Sequence, residues 1–204
     1  LRDSPYRKWF GAHWVLAQLA DIGYPPGDDS LIPLREQVYD WLYSRDHERS
    51  ADVINGRVRR CASQEGNALY YLLVLGLADE RTEELADRLL SWQWHDGGWN
   101  CDRRPEAINS SFMETLIPMR GLAWHHKLTG DGRSMQAVLR ASNVFLKRRL
   151  LRRQSDGSVI HPGFVDDEQT TGALGNGASG DLVKNSDVPA PDLAIPPVHL
   201  SLLT

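Results

Sequence analysis

Apolar residues recur at three- and four-residue spacing along most of the first 150 positions, and the interruptions fall at turn-forming residues, which predicts helices arranged in pairs. Trp9, Trp14, Leu16, Leu19 and Ile22 mark a first helix, ended by Gly23 and the Pro25-Pro26-Gly27 turn. A second, from about Leu31 to Ser44, carries Leu34, Val38, Trp41 and Leu42. Leu69, Leu72, Leu73, Val74 and Leu77 lie in a third that is apolar on nearly every side, the pattern of a helix buried among others. A fourth, from about Thr82 to Gln93, is amphipathic. The fifth opens on Ser111-Phe112-Met113-Glu114, the Ser-x-x-Glu form of a capping box, and contains Pro118, which removes a backbone hydrogen bond and is expected to bend it. A sixth runs from about Arg133 to Leu151. The one strong strand signal is Val53 to Val58, where Asn55-Gly56 is flanked by β-branched residues and predicts a small hairpin.

The pairs look like copies of one unit. Val38-Tyr39-Asp40-Trp41-Leu42, Leu89-Leu90-Ser91-Trp92-Gln93 and Asn143-Val144-Phe145-Leu146 recur at roughly 50-residue intervals, the scale of helical-hairpin repeats. Tight turns at Asn55-Gly56, Asp96-Gly97 and Asp156-Gly157 are each followed by an apolar residue three positions after the Asn or Asp: Val58, Trp99 and Val159. Residues 1–165 therefore read as about three hairpins. Residues 166–204 differ in kind: they contain no aromatic ring of Trp, Tyr or Phe, are rich in Gly and Pro, and set six acids against Lys184 alone, so a disordered acidic tail is expected. An ordered arm in which Leu193 to Leu203 docks on a partner is the competing reading.

Composition narrows the class. With 204 residues, 41% hydrophobic and 25% charged, and a net charge of −4, the chain falls in the range of soluble globular proteins. No apolar run approaches the ~20 residues of a membrane span, and no signal peptide is expected. Two cysteines, Cys61 and Cys101, are too few for a disulfide framework and point to a reducing compartment, hence a cytoplasmic protein. The cations between Lys147 and Arg153 read as a solvated helix face, so no nucleic-acid partner is expected.

The segment Trp92-Gln93-Trp94-His95-Asp96-Gly97-Gly98-Trp99 resembles the Gln then Gly-x-Trp motif that recurs in squalene-hopene cyclases and related terpenoid cyclases. There the Gln side chain is expected to satisfy orphan N–H groups at the start of the next helix while Trp99 packs over it. The resemblance covers about residues 7–165 and implies an all-α fold, part of the α/α toroid shared by terpenoid cyclases and protein prenyltransferase β-subunits. Three hairpins fall short of the five or more that close such a ring, and the first residue is Leu1, so a fragment is expected. Neither Asp-x-Asp-Asp nor Asp-Asp-x-x-Asp, the acid and the magnesium-diphosphate signatures of the superfamily, is present.

Candidate chemistry gathers after the turns. Arg59, Arg60, Arg103 and Arg104 follow the first two turns and precede helices, where Arg forks suit an anionic head group such as a diphosphate; a solvated rim of salt bridges is the bland alternative. Glu65 and Asp102 are the candidate acid and base, with Asp96 and Glu114 as further carboxylates, and Trp99 is assigned to the substrate-binding wall. Cys61, Cys101 and His161 sit six, five and five residues after Asn55, Asp96 and Asp156, so equivalent places in successive repeats converge, and two thiolates with an imidazole would hold zinc with one position open. Protein prenyltransferases and lanthionine cyclases, to which the toroid is similar, use zinc in this way. His125-His126 is expected to meet the C-terminal dipole of its helix. The resemblance thus implies an isoprenoid-handling transferase or cyclase acting on an apolar or diphosphate small molecule. A polysaccharide-active α/α-barrel hydrolase or lyase, and a non-catalytic toroid binding a lipid or partner, are the alternatives.

Overall fold

The computed structural model describes residues 4–49, 51–150, 152–153 and 156–159. The expectations for His161, the acidic tail and the Leu193 to Leu203 arm lie outside these residues. Among the described residues the chain is mostly helical: α1 (Ala12–Asp21), α2 (Ile32–Leu42), α3 (Arg45–Arg49), α4 (Ala62–Val74), α5 (Glu80–Trp92), α6 (Phe112–Thr129) and α7 (Gly132–Lys147). The exception is the two-stranded antiparallel hairpin of β1 (Asp52–Ile54) and β2 (Arg57–Arg59), in the register Asp52↔Arg59, Val53↔Val58, Ile54↔Arg57. Asn55 and Gly56 take φ values of 52° and 69°, both in the left-handed region that a two-residue type I′ turn requires. No described helix is long and apolar enough to cross a membrane.

The helices pack as successive pairs, α1 with α2, α4 with α5 and α6 with α7, while α4 also packs on both α1 and α6. This makes α4 the shared wall of two cores. Tyr71, Leu72 and Leu75 face Leu16, Val38, Tyr39 and Leu42 on one side. Leu69 faces Leu89, Trp99, Leu122 and Ala141 on the other. The apolar pattern around the whole of α4 follows from this double burial: Ala68, Leu69, Tyr71 and Leu72 are all fully buried.

The motif at the α5 terminus holds two pairs together, by different bonds from those expected. Gln93 Nε2 donates to the carbonyls of Gly97 (2.8 Å) and of Ala137 (2.9 Å) in the middle of α7, and Gln93 Oε1 accepts from the Arg140 guanidinium. No helix-start N–H is involved. Trp99 is buried, and its indole N–H donates to the Leu89 carbonyl at 2.9 Å, tying the turn back onto α5. The capping box also sits elsewhere. Ser111 flanks α6 without a side-chain cap, whereas Asp79 and Thr82 cap α5 reciprocally, and Asp131 caps α7 through Arg133 N at 2.8 Å. His125 and His126 do not serve the dipole of α6 alone: His125 is fully buried and joins Ser134 Oγ (2.8 Å) to Glu83 (3.0 Å), and His126 Nδ1 meets the Asp131 carbonyl.

Two glycines bring α4 and α6 close together. A Cβ on Gly66 would lie 2.6 Å from Pro118 Cα, and one on Gly121 would lie 2.5 Å from the Gly66 carbonyl oxygen, so backbone rests on backbone there. Alanine favours a helix over glycine by roughly 1 kcal/mol. At this crossing the steric cost outweighs it. Gly121→Ala is expected to lower unfolding free energy by about 1–3 kcal/mol in urea titration, whereas unchanged or increased stability would show that the two backbones are not in contact.

Candidate functional site

The contact of α4 and α6 brings their N-terminal ends together, and Cys61, Cys101 and Glu114 gather there. Cys61 occupies the N-cap position of α4, directly after β2 and the Arg59-Arg60 pair. Glu114 sits in the first turn of α6. Its carboxylate spans the gap, accepting from Ser63 N (2.9 Å) and Ser63 Oγ (3.2 Å) at the start of α4. The loop between α5 and α6 supplies Cys101, held because Trp99 N donates to Thr115 Oγ1, Ser111 N donates to the Trp99 carbonyl and Asn100 Nδ2 donates to the Asn109 carbonyl. Cys101 Sγ lies 3.8 Å from Glu114 Oε1, and the thiol and carboxylate ligand atoms of Cys61, Cys101 and Glu114 all fall within 4.8 Å of one another.

Equivalent turn positions thus converge as the spacing implied for Cys61 and Cys101, with Glu114 beside them and His161 outside the described residues. All three groups are half-buried, and their surroundings favour the neutral forms. Burial, followed by the Glu114 and Cys101 charges, pushes the Cys61 thiol up to about 12. Burial and then Glu114 raise Cys101, and burial raises Glu114 against the opposing Ser63 hydrogen bonds. Cys61 and Cys101 open onto a cleft of about 590 Å³, which Tyr6, Trp41, His47 and Arg103 also line. The Tyr6 and Trp41 rings stack at 5.0 Å.

The arginines divide into two kinds. Arg59 is 1% exposed, donates through Nη1 to the carbonyls of Asp102 (3.1 Å) and Ala107 (2.6 Å), and lies over the Trp94 ring. Arg60 forks onto Glu65 Oε1, donates to the His47 carbonyl and covers Trp92. Both brace the hairpin against the loops around it. Arg103 and Arg104 are exposed, paired with Asp52 (2.9 Å) and Asp102 (2.6 Å) respectively.

The candidate acid and base are committed as well. Glu65 is fully buried, where desolvation alone would raise its carboxyl, but the hydrogen bond from His47 (2.9 Å) and the Arg60 charge hold it below the usual range. Asp102 is held at about 2 by the Arg104 fork. Trp99 is 1% exposed and packs in the core rather than on the cleft wall. Ser63 falls within the strip Arg57 to Asn67 that follows the first turn, whereas His47 emerges only from the structure: it lies in the five-residue helix α3, which has no apolar period to mark it.

Comparison with protein-family models, curated proteins and solved structures finds no match for this chain.

Behind the cleft, His13 is 2% exposed, bonded through Nδ1 to Tyr71 Oη at 3.1 Å, and burial lowers its pKa to about 4. Its folded-state value lies below the unfolded one, so between about pH 6.5 and 4 the unfolded chain binds a proton that the folded chain does not. Stability therefore falls as pH falls through that window, by up to about 3 kcal/mol from this group. Urea titrations at pH 7 and 4.5 should show the loss in the parent protein and a smaller one in His13→Gln; equal losses would remove His13 as the cause.

Proposed function

We propose that this chain is part of an isoprenoid-handling protein of the terpenoid cyclase and prenyltransferase type, with the cleft beside Cys61 and Cys101 as its ligand site. The observation that carries this reading is the mixed lining of one cleft: stacked Tyr6 and Trp41 rings together with Arg103, in about 590 Å³. That volume suits a small organic ligand. Ring faces match an unsaturated hydrocarbon, and a guanidinium matches a diphosphate. The Gln93 and Trp99 brace between hairpins supports the same family reading. In this proposal Arg103 exchanges Asp52 for the head group, while Arg59 and Arg60 shape the wall.

The polysaccharide reading draws less support. It needs two carboxylates poised across a cavity, and Glu65 and Asp102 are each engaged by an arginine. Calorimetric titration of the chain with farnesyl diphosphate tests the proposal. Binding should weaken with added salt and fall about tenfold or more in Arg103→Ala, the loss of one charge-assisted contact. Farnesol should bind more weakly than its diphosphate. Absence of binding, or equal binding by Arg103→Ala, would contradict the isoprenoid reading.

A further inference from the structure

We propose that Cys61 Sγ, Cys101 Sγ and a Glu114 carboxylate oxygen form a three-ligand site for a zinc ion, with its fourth position open to the cleft. The inference stands apart from the isoprenoid reading, since it needs only three donors and the scaffold that holds them. A tetrahedral zinc with sulfur at about 2.3 Å and carboxylate oxygen at about 2.1 Å places sulfur and oxygen about 3.6 Å apart and two sulfurs about 3.8 Å apart. Cys101 Sγ and Glu114 Oε1 stand at 3.8 Å, and every pair among the three ligand atoms is within 4.8 Å. Closing on an ion therefore takes movements of about 1 Å or less, within reach of side-chain rotation alone.

The donors come from three places in the chain, each fixed independently: the N-cap of α4, the first turn of α6 and the tied loop between α5 and α6. Ser63 orients Glu114 through both carboxylate oxygens, as outer partners orient metal ligands. Two thiols with a carboxylate select a thiophilic divalent ion over calcium or magnesium, whose ligands are oxygens. Both thiols line the cleft and Glu114 does not, so the carboxylate backs the ion and the open position faces the cavity, where water or a ligand heteroatom can bind. A disulfide between the two cysteines would not require the third donor.

Cobalt(II), as a spectroscopic stand-in for zinc, gives a readout free of any assumed activity. The full chain, reduced and freed of metal, is titrated anaerobically with cobalt and then with zinc. One equivalent should produce thiolate-to-cobalt charge-transfer absorption and strong tetrahedral d–d bands, both abolished by zinc. Cys101→Ser should lose about half the charge-transfer intensity. Glu114→Gln, which keeps size and both thiols, should bind cobalt at least about tenfold more weakly. Far-UV circular dichroism confirms that each variant is folded, and the parent titration stands without them. Reduced thiols that give no charge-transfer band at stoichiometric cobalt would overturn the site. So would unchanged binding in folded Glu114→Gln.

Discussion

Gly66 and Gly121 let the backbones of α4 and α6 touch, and the remainder of the architecture is arranged around that contact. With Pro118 Cα and the Gly66 carbonyl where side chains would otherwise stand, the two helices lie too close to admit a Cβ at either position without a shift of backbone. Their N-terminal ends are therefore neighbours. Ser63 at the start of α4 bonds Glu114 at the start of α6, and the cysteine before one helix comes within reach of the loop before the other. The same approach leaves α4 with two apolar flanks and no solvent face, which is why it separates two cores.

Burial of cations around this crossing explains how a strip rich in arginine becomes part of the scaffold. Arg59 and Arg60 lose water on folding, a cost that requires compensation in kind. Arg60 obtains it from Glu65 and the His47 carbonyl. Arg59 obtains it from two loop carbonyls and the face of Trp94, whose indole N–H in turn holds the Val58 carbonyl. These bonds join the β-hairpin to the loop that carries Cys101, so the arginines act on the cleft by fixing its walls. Among the described arginines that line the cleft, Arg59 and Arg60 are buried and Arg103 has an exposed guanidinium.

What the sequence made legible was set by local rules. Helical spacing found the six long helices, although the third was marked only from Leu69 to Leu77 while α4 runs from Ala62 to Val74, and Asn55-Gly56 specified the hairpin because its backbone angles suit few other pairs. The similar offsets of Cys61 and Cys101 from their turns, six and five residues, pointed to the neighbourhood in which the two sulfurs lie. Tertiary partners decided what could not be read. Ser111 and Glu114 have the spacing of a capping box, yet Glu114 turns to Ser63 and Cys101, which are distant in sequence. Trp99 looked like a wall for ligand and is a core residue, because its N–H finds the Leu89 carbonyl. Glu65 looked free for proton transfer, and α4 buries it under Arg60 and His47. Each departure is a polar group choosing among partners that no single stretch of sequence displays.

One glycine-mediated contact between α4 and α6 presets two thiols and a carboxylate around a point beside the cleft. X-ray absorption at the zinc edge, on the full chain loaded with one equivalent of zinc, tests it most directly. A site built from Cys61, Cys101 and Glu114 gives two sulfur scatterers at about 2.3 Å and two oxygen or nitrogen scatterers at about 2.0–2.2 Å. A shell without sulfur, or one of four sulfurs drawn from two chains, would contradict it.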